Sequence, residues 1–335
     1  MRIAIIGVTG AVGKEMLLAL TERDFPVTEI KVLASARSAG KQIPYAGPGS
    51  DGSGFITVEE LTHDSFNDVD IALFSAGGSI SEEYAPSAVA AGAIVVDNSS
   101  AFRMRDDVPL IVPEVNPEDV KWNKGIIANP NCSTIPLVVA LNAMRTVAPL
   151  KRAVVSTYQA ASGAGQAAMD ELYDQTRDFL EGKELNPQEF AHQIAFNCIP
   201  HIDVFLEDGS TKEEWKMVEE TKKILHDYDL AVSVTCVRVP VLRCHSESVN
   251  VEFDAPITLD AIREALESAE GIVMMDDPAN KEYPMPAFLV GTDETYIGRL
   301  RLDASVLHGV AFWNVSDQLR KGAALNTVQI AELLI

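Results

Sequence analysis

The feature of this chain best suited to chemistry is a cysteine at the mouth of an apolar run. Asn129-Pro130-Asn131-Cys132-Ser133-Thr134-Ile135-Pro136 leads into a long apolar stretch over 137–144 that reads as a helix. Cys132 therefore falls at or just before a helix N-terminus. There the unpaired amides and the positive dipole end stabilise a thiolate and can donate to an oxyanion, as covalent thiol chemistry requires. The competing account is a small buried hydrophobe, which is also the expectation for Cys198 and Cys236. Glu213 and Lys216 lie three apart in a segment that reads as helix, so they share a face and set a carboxylate beside an ammonium. A capping box competes for the acid, because Ser210 with Glu213 and Thr211 with Glu214 both fit one.

A second place for chemistry is the glycine turn near the start. Residues 3–6 are an apolar run ending at Gly7-Val8-Thr9-Gly10-Ala11-Val12-Gly13, after which Met16, Leu17 and Leu20 recur at helical spacing. Strand, tight turn and helix together make a pyrophosphate cradle, with glycines allowing close backbone approach. The spacing is GxxGxxG where the NAD fingerprint has GxGxxG, so a purely structural turn is the alternative. A second strand over 29–34 ends at Ala34-Ser35-Ala36-Arg37-Ser38. The acid that would hold an NAD ribose hydroxyl is absent there, and a guanidinium with two hydroxyls suits the 2′-phosphate of NADP. Arg37 as a solvated loop cation is the bland alternative. Strand-like runs over 71–74 and 93–96 close on Ser75-Ala76-Gly77-Gly78 and Asn98-Ser99-Ser100, and such strand ends bind ligands in parallel sheets. The expected cofactor contacts in this half are Gly7, Thr9, Gly10, Ala11, Val12, Ser35, Arg37, Ser38, Ser75 and Gly77.

The elements that must position these groups predict an α/β chain: a Rossmann-type dinucleotide-binding domain plus an α+β catalytic and dimerisation domain. At 335 residues, with 47% hydrophobic and 23% charged residues, there is material for two cores. From Arg152 onward longer alternating strands take over, as over 231–239 and 248–253. Residues 40–54 read as an exposed excursion. The last segment, 316–334, reads as a helix that buries Leu319, Ala323, Val328 and Ile330 and folds back onto the first domain. The expected division is 1–131 with 314–335, and 132–313.

Composition removes whole classes of partner. Lys plus Arg number 27 against 49 for Asp plus Glu, a net charge of −22, which repels nucleic acid and anionic membranes. An anionic substrate must then be met by a few local cations. The opening residues are too short in apolar character for a signal peptide, and no segment approaches the roughly 18 apolar residues of a membrane span. Four cysteines without a CxxC pair or metal-type spacing predict a reduced cytoplasm and no metal site.

NCST before a helix, with the opening GVTGAVG, resembles the aspartate-semialdehyde dehydrogenase family. The resemblance runs through nearly the whole chain, carried by Arg103 in SSAFRM, Cys132 in NPNCST, Gln159 in TYQAASGAG, Glu213 and Lys216 in EEWKM, and Arg238 and His245 in RVPVLRCHSE. It implies a homodimeric enzyme of lysine, threonine and methionine biosynthesis. The implied reaction is the reversible NADP-dependent reductive dephosphorylation of 4-aspartyl phosphate to aspartate 4-semialdehyde and inorganic phosphate, through a Cys132 acyl-enzyme. The resemblance makes His245 the residue exchanging a proton near neutral pH, and Gln159 the one orienting the acyl group. Arg103 and Lys216 become phosphate-binding cations, Arg238 the planar fork for the substrate carboxylate, and Glu213 the partner of its ammonium. Ser162 and Gly163 would approach the cofactor through the backbone, and Asn314 would contact it late in the chain.

One difficulty stands out: Arg238 and His245, seven residues apart, would face opposite ways on a single strand, so Pro240 is expected to break it. The nearest alternative is N-acetyl-glutamyl-phosphate reductase, whose substrate has no ammonium for Glu213 to meet. Glyceraldehyde phosphate dehydrogenase is disfavoured by the missing acid after the second strand. A non-catalytic NADP-binding regulator is disfavoured by the presence of Cys132, Gln159 and His245 together.

Overall fold

Short strands buried on both faces alternate with helices in the early part of the chain, the pattern that builds a parallel sheet. In the computed structural model, which describes residues 1–50, 52 and 54–335, these strands are β1 (Arg2–Ile6), β2 (Glu29–Ala34), β5 (Glu59–Glu60), β6 (Ile71–Phe74), β7 (Ile94–Asp97) and β8 (Ile126–Ala128). They form an all-parallel sheet in the order β5-β2-β1-β6-β7-β8. Helix α1 (Ala11–Glu22) follows β1 and buries Met16, Leu17 and Leu20, the apolar positions whose spacing predicted it, together with Ala19. Helix α2 (Gly78–Ala90) joins β6 to β7. A hairpin of β3 (Gln42–Pro44) and β4 (Phe55–Thr57) falls in and beside the expected excursion over 40–54. Asp51 and Ser53 of that stretch lie outside the described residues.

The second unit is built differently. Its ten-residue strand β9 (Leu150–Gln159) pairs in parallel with β10 (Ala231–Arg238) and antiparallel with β11 (His245–Phe253). Then come β14 (Gly309–Ser316), β13 (Thr295–Leu302) and β12 (Ile272–Met274), giving a mixed sheet of order β10-β9-β11-β14-β13-β12. Four helices accompany it: α3 (Thr134–Met144), α4 (Gln166–Leu180), α5 (Lys212–Leu225) and α6 (Leu259–Glu267). Helix α3 is apolar all round, and accordingly it is enclosed, touching α5, α6, β13 and β14.

The described chain divides into Met1–Asn131 with Ala323–Ile335, and Cys132–Gly322. The return comes later than the expected 314 because Gly309–Ser316 is a strand hydrogen-bonded on both edges, to β11 and β13. A boundary at 314 would cut through that ladder. The expected continuous helix over 316–334 is also broken up, into a π-turn at Arg320–Ala324 and helix α7 (Leu325–Glu332). Leu319, Ala323, Val328 and Ile330 are buried all the same. Helix α7 packs against α1, and Arg23 reaches Glu332 through two bonds of 2.6 and 2.7 Å. No helix among the described residues is long and apolar enough to cross a membrane, and no group of His, Cys, Asp and Glu among them could hold a metal.

Candidate active site

Cys132 immediately precedes Ser133, the N-cap of α3, with its thiol partly exposed and in no disulfide. Gly322 lies against it. A Cβ at Gly322 would stand 3.0 Å from the Cys132 carbonyl oxygen and 3.1 Å from its Cβ, so the glycine leaves Cys132 its room. The other cysteines differ. Burial, with Glu213 next in effect, pushes the Cys236 thiol far above its usual range, and burial pushes Cys244 up to about 12. Both are held as thiols. Cys198, expected to be buried, is exposed, since its segment between α4 and α5 lies outside the sheet core.

Strand register solves the Arg238 and His245 difficulty. Arg238 ends β10 and His245 begins β11, and these strands are not neighbours but flank β9 on either side. The connecting loop, containing Pro240, crosses the end of β9 and bonds the turn beyond it, with Ala161 N–H donating to Val241 O and Ser162 N–H to Leu242 O. Gln159 pairs directly with Arg238. Arg238, Gln159 and His245 thus form one rung on the buried face of the sheet. Arg238 Nη1 donates to Ala160 O at 2.7 Å, while Ala160 N–H donates to His245 Nδ1 at 3.0 Å. An Nδ1 that accepts from an amide leaves the neutral ring's proton on Nε2, which has no partner among the described residues. Burial, reinforced by the Arg238 cation, holds His245 well below its usual range, so the ring is neutral. Burial also lowers Arg238, opposed by the charge that a Cys132 thiolate would carry and by the Glu213 carboxylate. A Cβ at Gly163 would stand 2.9 Å from Arg238 Nη1 and 3.1 Å from His245 Nε2, so that position must stay bare.

Helix α5 supplies the acid and the ammonium. Its capping box uses Thr211 and Glu214, with Glu214 also accepting from Cys236 N–H at 2.9 Å. Glu213 is thereby released from capping. Its two oxygens accept from Gln159 Nε2 at 3.4 Å and from Lys216 Nζ at 3.2 Å. Lys216 donates further to Asp203 Oδ2 at 2.6 Å.

In the first unit a cavity of about 490 Å³ is lined by Gly7, Thr9, Gly10, Ser35 and Ser75 among the expected cofactor residues. Gly7 has φ +85°, and a Cβ there would meet Ser75 O at 2.5 Å; one at Gly13 would meet Gly7 O at 2.4 Å. The turn has space for backbone only, as close approach to a pyrophosphate demands. Ala11 and Val12 open α1, and Gly77 is the N-cap of α2. Ser35-Ala36-Arg37-Ser38 is a turn closed by Ser38 N–H to Ser35 O at 2.8 Å, with Arg37 exposed. Arg103 donates to Asn98 O at 3.0 Å, in a loop pinned by the buried Asp97, which accepts from Ser81 and from Ser99.

Some expected residues are committed to contacts within the second unit. Asn314 is 1% exposed in β14, and its amide donates to Glu247 at 3.0 Å. Ser162 is buried and accepts from Gln318, whose carbonyl oxygen in turn takes the Cys244 N–H. Sequence reasoning missed Gln318, Gly322, Asp203, Lys41 beside Ser38, and Glu60 and Tyr84 in the cavity wall. None belongs to a local motif. Each is recognisable only by what folding sets beside it.

A parallel sheet with a glycine turn at its first strand, joined to a mixed-sheet unit presenting a thiol at a helix start, is the architecture of a nucleotide-binding oxidoreductase. Residues 2–123 match the semialdehyde dehydrogenase NAD-binding domain, and residues 141–321 the semialdehyde dehydrogenase dimerisation domain. An aspartate-semialdehyde dehydrogenase of Aquifex aeolicus is 54% identical, the match covering 100% of this chain and 98% of the relative. The crystal structure of aspartate semialdehyde dehydrogenase II complexed with ASA from Vibrio cholerae is similar with TM-score 0.94 and 46% identity, covering 99% of this chain and 97% of that one. One with NADP from Candida albicans has TM-score 0.76 and 26% identity over 99% and 98%. The chain belongs to the aspartate-semialdehyde dehydrogenase family.

Proposed function

We propose that this enzyme reduces 4-aspartyl phosphate to aspartate 4-semialdehyde, releasing inorganic phosphate, and that it runs this reaction reversibly with NADP. The observation that carries the reading is the buried rung of Arg238, Gln159 and His245, in the unit where α3 starts at Cys132. The Cys132 thiolate attacks the acyl carbon, the carbon–oxygen bond to phosphate breaks, and a thioester remains on the sulfur. Reduced NADP, when bound, supplies a hydride to that carbon. The carbon–sulfur bond then breaks, freeing the aldehyde and restoring the thiolate. Gln159 orients the acyl group, and His245 holds a proton on Nε2 for the acyl oxygen as negative charge develops there. Arg238 grips the substrate carboxylate, Glu213 its ammonium, and Lys216 and Arg103 the phosphate.

NADP is preferred to NAD in this reading because Arg37, with Ser35, Ser38 and the neighbouring Lys41, offers cations and hydroxyls for a 2′-phosphate. Arg37→Ala should weaken NADP roughly tenfold and leave NAD nearly unchanged, and equal losses would count against this assignment. Homodimer formation and a cytoplasmic setting complete the proposal. The test is NADPH formation from aspartate semialdehyde and phosphate, run beside N-acetylglutamate semialdehyde. Activity confined to the aspartyl substrate is expected, and a preference for the acetylated one would overturn the reading.

A further inference from the structure

We propose that Asp203 is an internal counter-anion for Lys216, which the phosphate of the reaction must displace, so that Asp203 sets the enzyme's affinity for phosphate. The inference rests on the reading of Lys216 as a phosphate-binding cation. Lys216 is held between two carboxylates, Asp203 at 2.6 Å and Glu213 at 3.2 Å. An arriving phosphate brings about −1.5 to −2 of charge, too much negative charge to share one ammonium with both.

The two carboxylates are not equally free to leave. The Glu213 side chain is 8% exposed and is also held by Gln159, so parting from Lys216 would strand a buried charge. The Asp203 side chain is 29% exposed, on the segment leading into α5, and can return to water. Burial would raise the Asp203 carboxyl, but the Lys216 bond, the Val204 N–H donated at 2.9 Å and the charges of Lys216 and Lys212 outweigh it and hold it below its usual range. It therefore stays ionised and competes with phosphate at neutral pH. The exchange also suits a chain of net charge −22, because it leaves the phosphate cation masked until an anion better than a carboxylate arrives.

Asp203 has φ +67°, a left-handed conformation that asparagine adopts readily, so Asp203→Asn removes the charge without disturbing the backbone. In the full-length enzyme, run in the phosphorylating direction, D203N should lower KM for inorganic phosphate roughly threefold to tenfold and leave that for aspartate semialdehyde within about twofold. Asp203→Glu, which keeps the charge, should stay near the wild type. In a Lys216→Ala background the effect of D203N on the phosphate constant should vanish, since its target is gone. An unchanged or raised phosphate KM in D203N, while Lys216→Ala raises it, overturns the counter-anion role alone. A phosphate KM indifferent to Lys216→Ala overturns the reading of Lys216 and the inference with it.

Discussion

The nucleotide turn and the buried rung are polar sites made in opposite ways. In the first unit Gly7 and Gly13 are so crowded by backbone that a methyl group would come within 2.4–2.5 Å of a carbonyl oxygen, and recognition is left to main-chain groups. In the second, Gln159, Arg238 and His245 arrive from three strands, and the polar groups on offer are side chains whose charge and tautomer are set by burial and by Ala160. A backbone site fails when something is added to it. A side-chain site fails when something is taken away or mispaired, and substitutions should therefore separate the two units.

The largest separation is expected from Cys132→Ala, which should lower turnover at least about a thousandfold while leaving NADP affinity within about twofold. Appreciable turnover without the thiol would sink the covalent path. Gly13→Ala is the mirror case: the added methyl must displace the Gly7–Val8 backbone, costing on the order of 3 kcal/mol and most nucleotide binding. Titration with NADP and a thermal melt would check it, and a variant binding NADP normally would show that the turn is not the cradle.

Within the rung, Arg238→Lys keeps a cation but loses the planar fork. KM for aspartate semialdehyde should rise roughly tenfold or more, well beyond any change in that for phosphate. Equal shifts in both constants would erase the assigned division between Arg238 and Lys216.

A last effect, read in stability against pH and not in turnover, concerns the rung below. Glu247 pairs with Asn314 on one oxygen, while its other oxygen and the Asn314 carbonyl have no partner among the described residues, and burial pushes the carboxyl up to about 8. The folded protein thus keeps a proton that the unfolded chain, with an ordinary glutamate near 4.5, has released. Stability should fall as pH rises through that window, by up to about 1.4 kcal/mol per pH unit, and level off above it. Glu247→Gln carries its own hydrogens at all pH values, and urea unfolding of the variant should lack this slope. Matching slopes in the two proteins would mean that Glu247 is ionised in the folded state.

The sequence by itself determined what depends on near neighbours along the chain. The glycine turn, the buried parallel strands, the enclosed α3 with Cys132 at its start, and the choice of α5 for Glu213 and Lys216 all follow from spacing and local sterics. It left the capping box open between Ser210 with Glu213 and Thr211 with Glu214, and folding chose the second, releasing Glu213 to the site. Strand order was equally out of reach: only the placement of β9 between β10 and β11 puts Arg238 and His245 on one face. The same sheet paired Asn314 with Glu247, and the loop before α5 brought Asp203 to Lys216. These contacts join residues far apart in sequence, so no local pattern encodes them. Hydrogen-bond register across strands and the cost of burying an unpaired charge decide them, and both come into force only when the chain has closed.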